Sequence, residues 1–276
     1  MRIKVTLKVR KLPILYRHRL MALIKEVLEL ADSGYKDSIY PENLKITKPF
    51  TFSVFIPPGF SQRKERFIVD EDIAIEDTVL YPGDGKDLSF FVSSSDYEFI
   101  INLYNGLLKL ERFKITDFLS PDDERQEEFF QIGRVFLLNE RKITGSEVMF
   151  KTMSPLSVED ENDRPINIFH NKDRTINNDE LERLNYHLNA IQERRLRALR
   201  GYGLKRPLTF IPVKLKNKGI KHTLRGFRKQ TGKPYMVLTT YQGTFCLKGD
   251  PEDLQFIYQT GLGLRTGQGF GMIDLA

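Results

Sequence analysis

The run Arg2-Ile3-Lys4-Val5-Thr6-Leu7-Lys8-Val9-Arg10 places an apolar residue at every second position, with basic or polar residues between. A period of two belongs to a strand with one buried and one solvated face. Downstream, Pro13 stands where a helix can begin. Leu20, Leu23, Ile24, Val27, Leu28 and Ala31 follow at helical spacing until Asp32-Ser33-Gly34 closes the pattern. Phe50, Phe52, Val54 and Ile56 predict a second strand, ended by Pro57-Pro58-Gly59. A third strand is expected over 88–93, a helix over 96–110 capped by Ser95, and a further strand over 129–138. The order β-α-β-β-α-β is that of a ferredoxin-like, RRM-like unit, so the expected fold class is α+β.

The second half repeats the theme less regularly. Strands are expected over 148–153 and 208–215, with a long charged helix over 178–200. A hairpin over 235–247 should turn at Gln242-Gly243, Asp250-Pro251 should open a short helix over 250–259, and a last strand should occupy 270–275. The halves show no self-similarity in sequence, so a tandem of two ferredoxin-like domains is inferred from element order. The polar, turn-rich stretch 140–145 sets the boundary between an N-terminal domain, 1–140, and a C-terminal domain, 141–276. Residues 159–178 are polar and read as a mobile loop.

Composition narrows the function classes. With 276 residues, 40% hydrophobic and 29% charged, the chain is a folded globular protein and not a disordered one. The net charge is +6 and the sequence pI about 9.2, which favours a polyanionic partner. Distribution says more than the total: residues 194–233 hold fourteen Lys or Arg and no Asp or Glu, while acidic residues collect in 65–87 and 117–128. Cys246 is the only cysteine, which excludes an intrachain disulfide and a thiolate metal cluster. No stretch resembles a signal peptide or a membrane span, so the expected location is cytoplasmic, without a membrane partner.

The sharpest motif is Gly261-Leu262-Gly263-Leu264-Arg265-Thr266-Gly267-Gln268-Gly269-Phe270-Gly271. Glycine removes the side-chain wall, so backbone amides can approach a phosphate, and Arg265 adds a charge that can grip one. A dinucleotide-binding loop needs a strand before it and a helix after; here a helix precedes, a strand follows, and only five residues remain. A Walker lysine motif is also missing, which counts against a nucleotide-dependent enzyme. The plain alternative is a glycine-rich turn that packs tightly.

Gly-apolar-Gly, five residues including a basic one, then Gly-apolar-Gly beside the C-terminus resembles the signature loop of the CRISPR repeat-processing endoribonucleases of the RAMP superfamily. The basic first strand followed by a helix agrees, as does Phe150-Lys151-Thr152-Met153-Ser154-Pro155-Leu156, similar to the segment opening the family's second half. The resemblance implies tandem ferredoxin-like folds with CRISPR precursor RNA lying across the cleft and the glycine loop (Gly261, Gly263, Arg265, Gly267, Gly269, Gly271) touching its backbone. It also implies cleavage within repeats without a metal ion or other cofactor. A ribose 2′-hydroxyl attacks the neighbouring phosphate, leaving 2′,3′-cyclic phosphate and 5′-hydroxyl ends. Such a reaction needs a base, an acid and positive charge at the phosphorus.

Histidine suits either proton role. On a helical wheel with His18 at zero, the apolar residues of the first helix fall between about 140° and 280°, so His18 points away from that core, on the pole of Ala22, Lys25 and Glu29. Lys48, before Pro49-Phe50-Thr51-Phe52, corresponds to a position where the family carries a catalytic lysine. Lys25 is a candidate phosphate contact, and Tyr16 and Tyr40 are candidates for orienting the scissile group. Many members place the working histidine just after the first helix, and 33–48 contains none. Either His18 has the role, or the site is histidine-free and relies on Tyr40 and Lys48.

Lys214, Lys216, Lys221, His222, Arg225, Arg228 and Lys229 alternate with apolar residues in the basic tract and are candidate RNA contacts. Arg194, Arg195, Arg197 and Arg200 load a helix end, where positive charge complements the dipole. A non-catalytic subunit or inactive paralogue that holds CRISPR RNA, within an effector complex, is the competing reading. The oligomeric state, monomer or homodimer, stays open.

Overall fold

A computed structural model of the protein describes every residue except 43, 71–72, 84, 123 and 171–174. The polar loop expected over 159–178 includes residues 171–174, and there the expectation lies outside the described residues.

The N-terminal part runs β1 (Arg2–Lys8), β2 (Leu12–Pro13), α1 (Arg17–Ala31), α2 (Ser33–Ile39), β3 (Phe50–Phe55), β4 (Ser61–Asp70), β5 (Ile73–Tyr81), β6 (Leu88–Ser94), α3 (Tyr97–Lys109), β7 (Arg112–Leu119) and β8 (Arg125–Leu138). Its eight strands form one sheet in the order β2-β5-β4-β7-β8-β1-β6-β3, antiparallel throughout. Within it, β8-β1-β6-β3 has the strand order of a ferredoxin-like sheet, with α1 and α3 packed on one face. The simple six-element order is therefore corrected: β4, β5 and β7 extend the sheet beyond β8. Arg63, Lys64, Glu65 and Arg66 occupy successive positions in Ser61–Asp70, so the first half of β4 carries little of the alternation that marks a half-buried strand.

Two helix ends also differ from expectation. Asp32 does not simply close α1; its side chain accepts from the Tyr35 amide and starts α2. Asp96, not Ser95, caps α3 by accepting from Phe99 N at 3.1 Å.

The C-terminal part continues with β9 (Glu147–Thr152), β10 (Phe169–His170), β11 (Thr175–Ile176), α4 (Asn178–Arg200), β12 (Thr209–His222), α5 (Arg225–Thr231), β13 (Met236–Lys248), α6 (Pro251–Thr260) and β14 (Ile273–Leu275). Here the sheet order is β12-β13-β9-β14, with α4 and α6 over a second apolar core. The hairpin expected at Gln242-Gly243 is not there. β13 is continuous because β12 pairs with it along its whole length, from Thr209↔Lys248 to His222↔Met236, and α5 makes the turn. The stretch read as a polar loop is partly interior: Ile166, Ile168 and Phe169 join the second core, and Tyr241 holds Ile168 N at 3.1 Å.

Polar and ionic contacts join the two parts. Arg2 of β1 donates to the Ile273 carbonyl at 2.9 Å and to Asp274 at 3.2 Å. Thr51 of β3 donates to the Phe270 carbonyl at 3.0 Å. No helix among the described residues is long and apolar enough to cross a membrane.

Candidate active site

The glycine loop lies in the seam between the two sheets. Its left-handed turn residues make the chain reverse several times between α6 and β14: Gly261, Gly263, Gly269 and Gly271 have φ between 69° and 89°, and Arg265 has φ 59°. At Gly269 a Cβ would stand 2.6 Å from the Phe52 ring, so only glycine allows this approach of the loop to β3. At Gly267 a Cβ would stand 2.8 Å from Lys48 Cγ, which puts the loop directly against a candidate catalytic lysine.

The loop's polar groups are largely used inside the protein. Leu262 N donates to Gly271 O, Leu264 N to Ser157 O, Gly271 N to Pro155 O, and Gln268 N to Arg265 O. On the carbonyl side, Arg195 of α4 donates to Gly261 O at 2.7 Å, Thr260 O at 2.9 Å, Gly263 O at 3.2 Å and Thr266 Oγ1 at 3.0 Å. Arg17 donates to Gly269 O at 3.4 Å and stands over the Phe270 ring. Arg265, expected to hold a phosphate, is paired with Glu159 at 3.0 Å. Gly261, Gly263, Gly269 and Gly271 are buried, and Gly267 is the glycine that stays half-exposed. Four of the loop's glycines thus serve close packing and chain reversal, and Gly267 is the glycine left at the surface.

Around Gly267 the structure brings three predicted residues together. The ammonium groups of Lys48 and Lys25 stand 4.3 and 4.8 Å from the centroid of one ring, Tyr40. Lys48 Nζ also donates to the Ile39 carbonyl. Burial, and secondarily the like charge of Lys25, hold the Lys48 ammonium down to about 8. The Tyr40 hydroxyl is buried without a partner among the described residues, and burial pushes its ionisation well above the usual tyrosine range.

His18 sits at the start of α1. It is turned from the α1 core as the wheel predicts, yet both ring nitrogens are shut off from solvent and have no hydrogen-bond partner among the described residues. Burial, then Arg19, lowers its pKa to about 3, with smaller contributions from Arg228 and His222 across the seam. It is therefore neutral near pH 7. His222 is 1% exposed, its Nε2 lies 3.0 Å from Gln268 Oε1, and its ring meets Phe270 edge-on. Burial lowers its pKa to about 4. Tyr16 packs into the first core and against Arg17, which is a structural placement.

The basic tract divides. Lys214 and Lys216 on β12, and Arg225 and Lys229 on α5, are exposed. Leu215 packs on the second core, so Lys214 and Lys216 face away from it. Lys221 and Arg228 are not free surface charges: Lys221 binds both Asp77 oxygens, at 2.8 and 2.6 Å, and Arg228 pairs with Asp70 and holds Thr223 Oγ1 at 2.7 Å. Lys221 and Arg228 join the C-terminal sheet to the β4–β5 hairpin, while buried His222 meets the glycine loop. The charges of Lys221 and Arg228 are thus already engaged within the protein.

Arg195 is the residue that sequence reasoning underrated. It follows Leu184, Leu188 and Ile191 on the buried line of α4, and an arginine at an apolar position was the available signal.

A family model for the C-terminal region of the CRISPR-associated protein Cas6 matches residues 138–275, half of the chain. Among curated proteins, none matches. Among solved structures, a Cas6-related protein from Pyrococcus furiosus superposes with a TM-score of 0.71 at 20% identity, over all of this chain and 98% of that one. A structure described as a RAMP protein binding different RNA substrates gives 0.69 at 22%, covering 100% and 99%. A CRISPR-associated protein Cas6 gives 0.63 at 19%, covering 100% and 99%. At these identities the likeness is one of fold: mixed α/β with antiparallel sheets in a tandem ferredoxin-like arrangement. With the glycine loop in place and the family model spanning half its length, this chain belongs to the Cas6 family of CRISPR-associated proteins.

Proposed function

We propose that this protein binds CRISPR precursor RNA and cuts it within repeats, without a metal ion, at the cluster of Lys25, Tyr40 and Lys48 beside Gly267. The observation that carries the reading is Lys48: an ammonium with a pKa near 8, on an aromatic ring, against the half-exposed point of the glycine loop. Such a group is charged enough at pH 7 to stabilise a crowded phosphorus, and acidic enough to give up a proton.

In the step proposed, the upstream 2′-hydroxyl oxygen bonds to phosphorus while the bond from phosphorus to the 5′ oxygen breaks. The 2′ proton passes to a base, and the departing 5′ oxygen takes a proton from Lys48. His18, neutral near pH 7, is the proposed base; Lys25 is a phosphate contact, and Tyr40 positions both lysines. Lys214, Lys216, Arg225 and Lys229 supply exposed charge for the RNA backbone. Solved relatives are described as a RAMP protein binding RNA substrates and as a Cas6 product complex, which supports an RNA ligand for this fold.

Incubation of the purified chain with a repeat RNA from its own genome, in EDTA, tests the reading. Cleavage leaving 2′,3′-cyclic phosphate ends is expected, and a 2′-deoxy substitution upstream of the cut should abolish it. Cutting of the deoxy substrate would exclude the proposed nucleophile. One observation favours the second reading, a subunit that binds RNA without cutting: both His18 nitrogens are buried. Tight, salt-sensitive binding with no cleavage supports it. His18→Ala should lower the rate at least ~100-fold with little loss of affinity; a near-normal rate assigns the chemistry to Lys48 and Tyr40.

A further inference from the structure

β12 and β13 run on past the C-terminal sheet as a two-stranded arm. β9 pairs with β13 only over Thr244–Lys248, whereas β12 stays paired with β13 from Lys218↔Thr240 out to His222↔Met236. A ribbon of two strands is marginally stable by itself and needs support at its end. Here the support comes across the seam from the β4–β5 hairpin. Lys221 binds both Asp77 oxygens, at 2.8 and 2.6 Å, and Arg228 of α5 pairs with Asp70. Tyr235 adds the apolar contact, against the small core of Leu15, Phe67 and Val79. Arg228 is buried by this docking, although Arg225 and Lys229 of the same helix, and Lys233 just beyond it, are exposed. Beside the docked tip stands His18. Its ring is half-exposed, yet neither nitrogen reaches solvent. After burial and Arg19, it is Arg228 and His222 of the tip that lower its pKa.

We infer that the tip of this arm, residues 221–233, is a lid held shut by Asp70 and Asp77. RNA opens it by offering phosphates to Lys221 and Arg228 in place of those carboxylates, which uncovers the His18 nitrogens. A carboxylate and a phosphodiester are both anionic acceptors for Lys and Arg, so one replaces the other without leaving a cation unpaired. Arg225 and Lys229, exposed on the same tip, draw the polyanion to it. In the free chain the closed pairs lower the fraction of molecules ready for RNA, and the apparent affinity falls by that fraction. The two aspartates thus act as an autoinhibitory contact. The inference rests on the proposed RNA reading and on His18 as the base. It gives a physical reason why that base has hidden nitrogens in the free protein.

Modification of the full chain by diethyl pyrocarbonate, read by peptide mass spectrometry, tests the lid without RNA. His18 should react more slowly than exposed His170 in the unmodified protein, and Asp70→Asn with Asp77→Asn should raise its rate at least tenfold. A repeat RNA made uncleavable by a 2′-deoxy substitution at the cut tests the exchange of partners. Asp77→Asn should tighten its binding at least ~5-fold. The gain should exceed that of Glu98→Gln, which removes the same charge from an exposed site on α3. It should vanish when Lys221→Gln is added. A second cycle, Asp70→Asn with Arg228→Gln, asks the same of the other pair. An unchanged His18 rate in the double aspartate variant, or a gain in affinity that survives Lys221→Gln, overturns the lid. Normal RNA binding that neither aspartate variant improves overturns the lid alone, whereas absence of any RNA binding overturns the proposed function with it.

Discussion

The guanidinium of Arg195 stands 2.7 Å from the carbonyl of Gly261, sixty-six residues away, and the same group reaches three further oxygens of the loop. Burial depresses its pKa to about 10, yet it stays charged near neutral pH because the loop's oxygens satisfy it. Arg195→Ala would leave several buried carbonyls unpaired, at about 1–3 kcal/mol each before relaxation. A drop in melting temperature and a loss of RNA affinity are expected together. Arg195→Lys should rescue little, because a point charge cannot reproduce the planar fork. A melt equal to that of the unmodified protein would show that the loop holds its shape without this residue.

Gly269→Ala and Gly267→Ala should separate stability from activity. At Gly269 the new methyl meets the Phe52 ring with backbone φ at 84°, so a loss of roughly 1–3 kcal/mol is expected from strain of this kind. At Gly267 the methyl meets Lys48 Cγ at 2.8 Å and Cβ at 3.0 Å, the root of that side chain, so Lys48 itself must shift. Urea titration should find the Gly267 variant less destabilised than the Gly269 variant, because its backbone needs no positive φ, while cleavage falls. Equal destabilisation by the two would remove Gly267 from the proposed site.

Lys48 predicts a pH profile. With its pKa near 8 in the free protein, kcat/KM for cleavage should decline as pH rises through about 8, because the proton donated to the 5′ oxygen is then lost. Lys25→Ala removes a like charge, so the Lys48 pKa should rise and the alkaline limb should move to higher pH. Burial is the larger cause, so the limb should not reach the range of a free lysine. Lys48→Arg should keep RNA binding and lose the cutting step. An alkaline limb unmoved by Lys25→Ala would argue that another group titrates.

His18 and His222 predict sensitivity to mild acid. Their folded values, about 3 and about 4, lie below the ordinary 6.5, so the unfolded chain binds more protons between these limits. Their neutral burial is at no disadvantage above pH 6.5, and stability should be lost as pH falls from about 6.5 towards 4. Comparing urea midpoints at pH 7.5 and 5 isolates this from carboxylate protonation. His222→Gln should flatten the difference, and an unchanged difference would place the acid response elsewhere.

Local pattern alone determined a good part of this protein. The first strand, the helix over 178–200, the strand at Phe50 and the glycine loop are set by side-chain period and turn chemistry, which act between near neighbours. The grouping of Lys25, Tyr40 and Lys48 as candidates was also legible, through resemblance at the loop and at Lys48. Only the tertiary structure decided that the loop is mostly interior, that Lys221 and Arg228 answer Asp77 and Asp70, and that Arg195 organises the loop. A charged residue reads the same in sequence whether its partner is water, a phosphate or a carboxylate from a distant strand. Pairings such as Lys221 with Asp77, 144 residues apart, arise when two sheets dock, and leave no periodic trace in either segment.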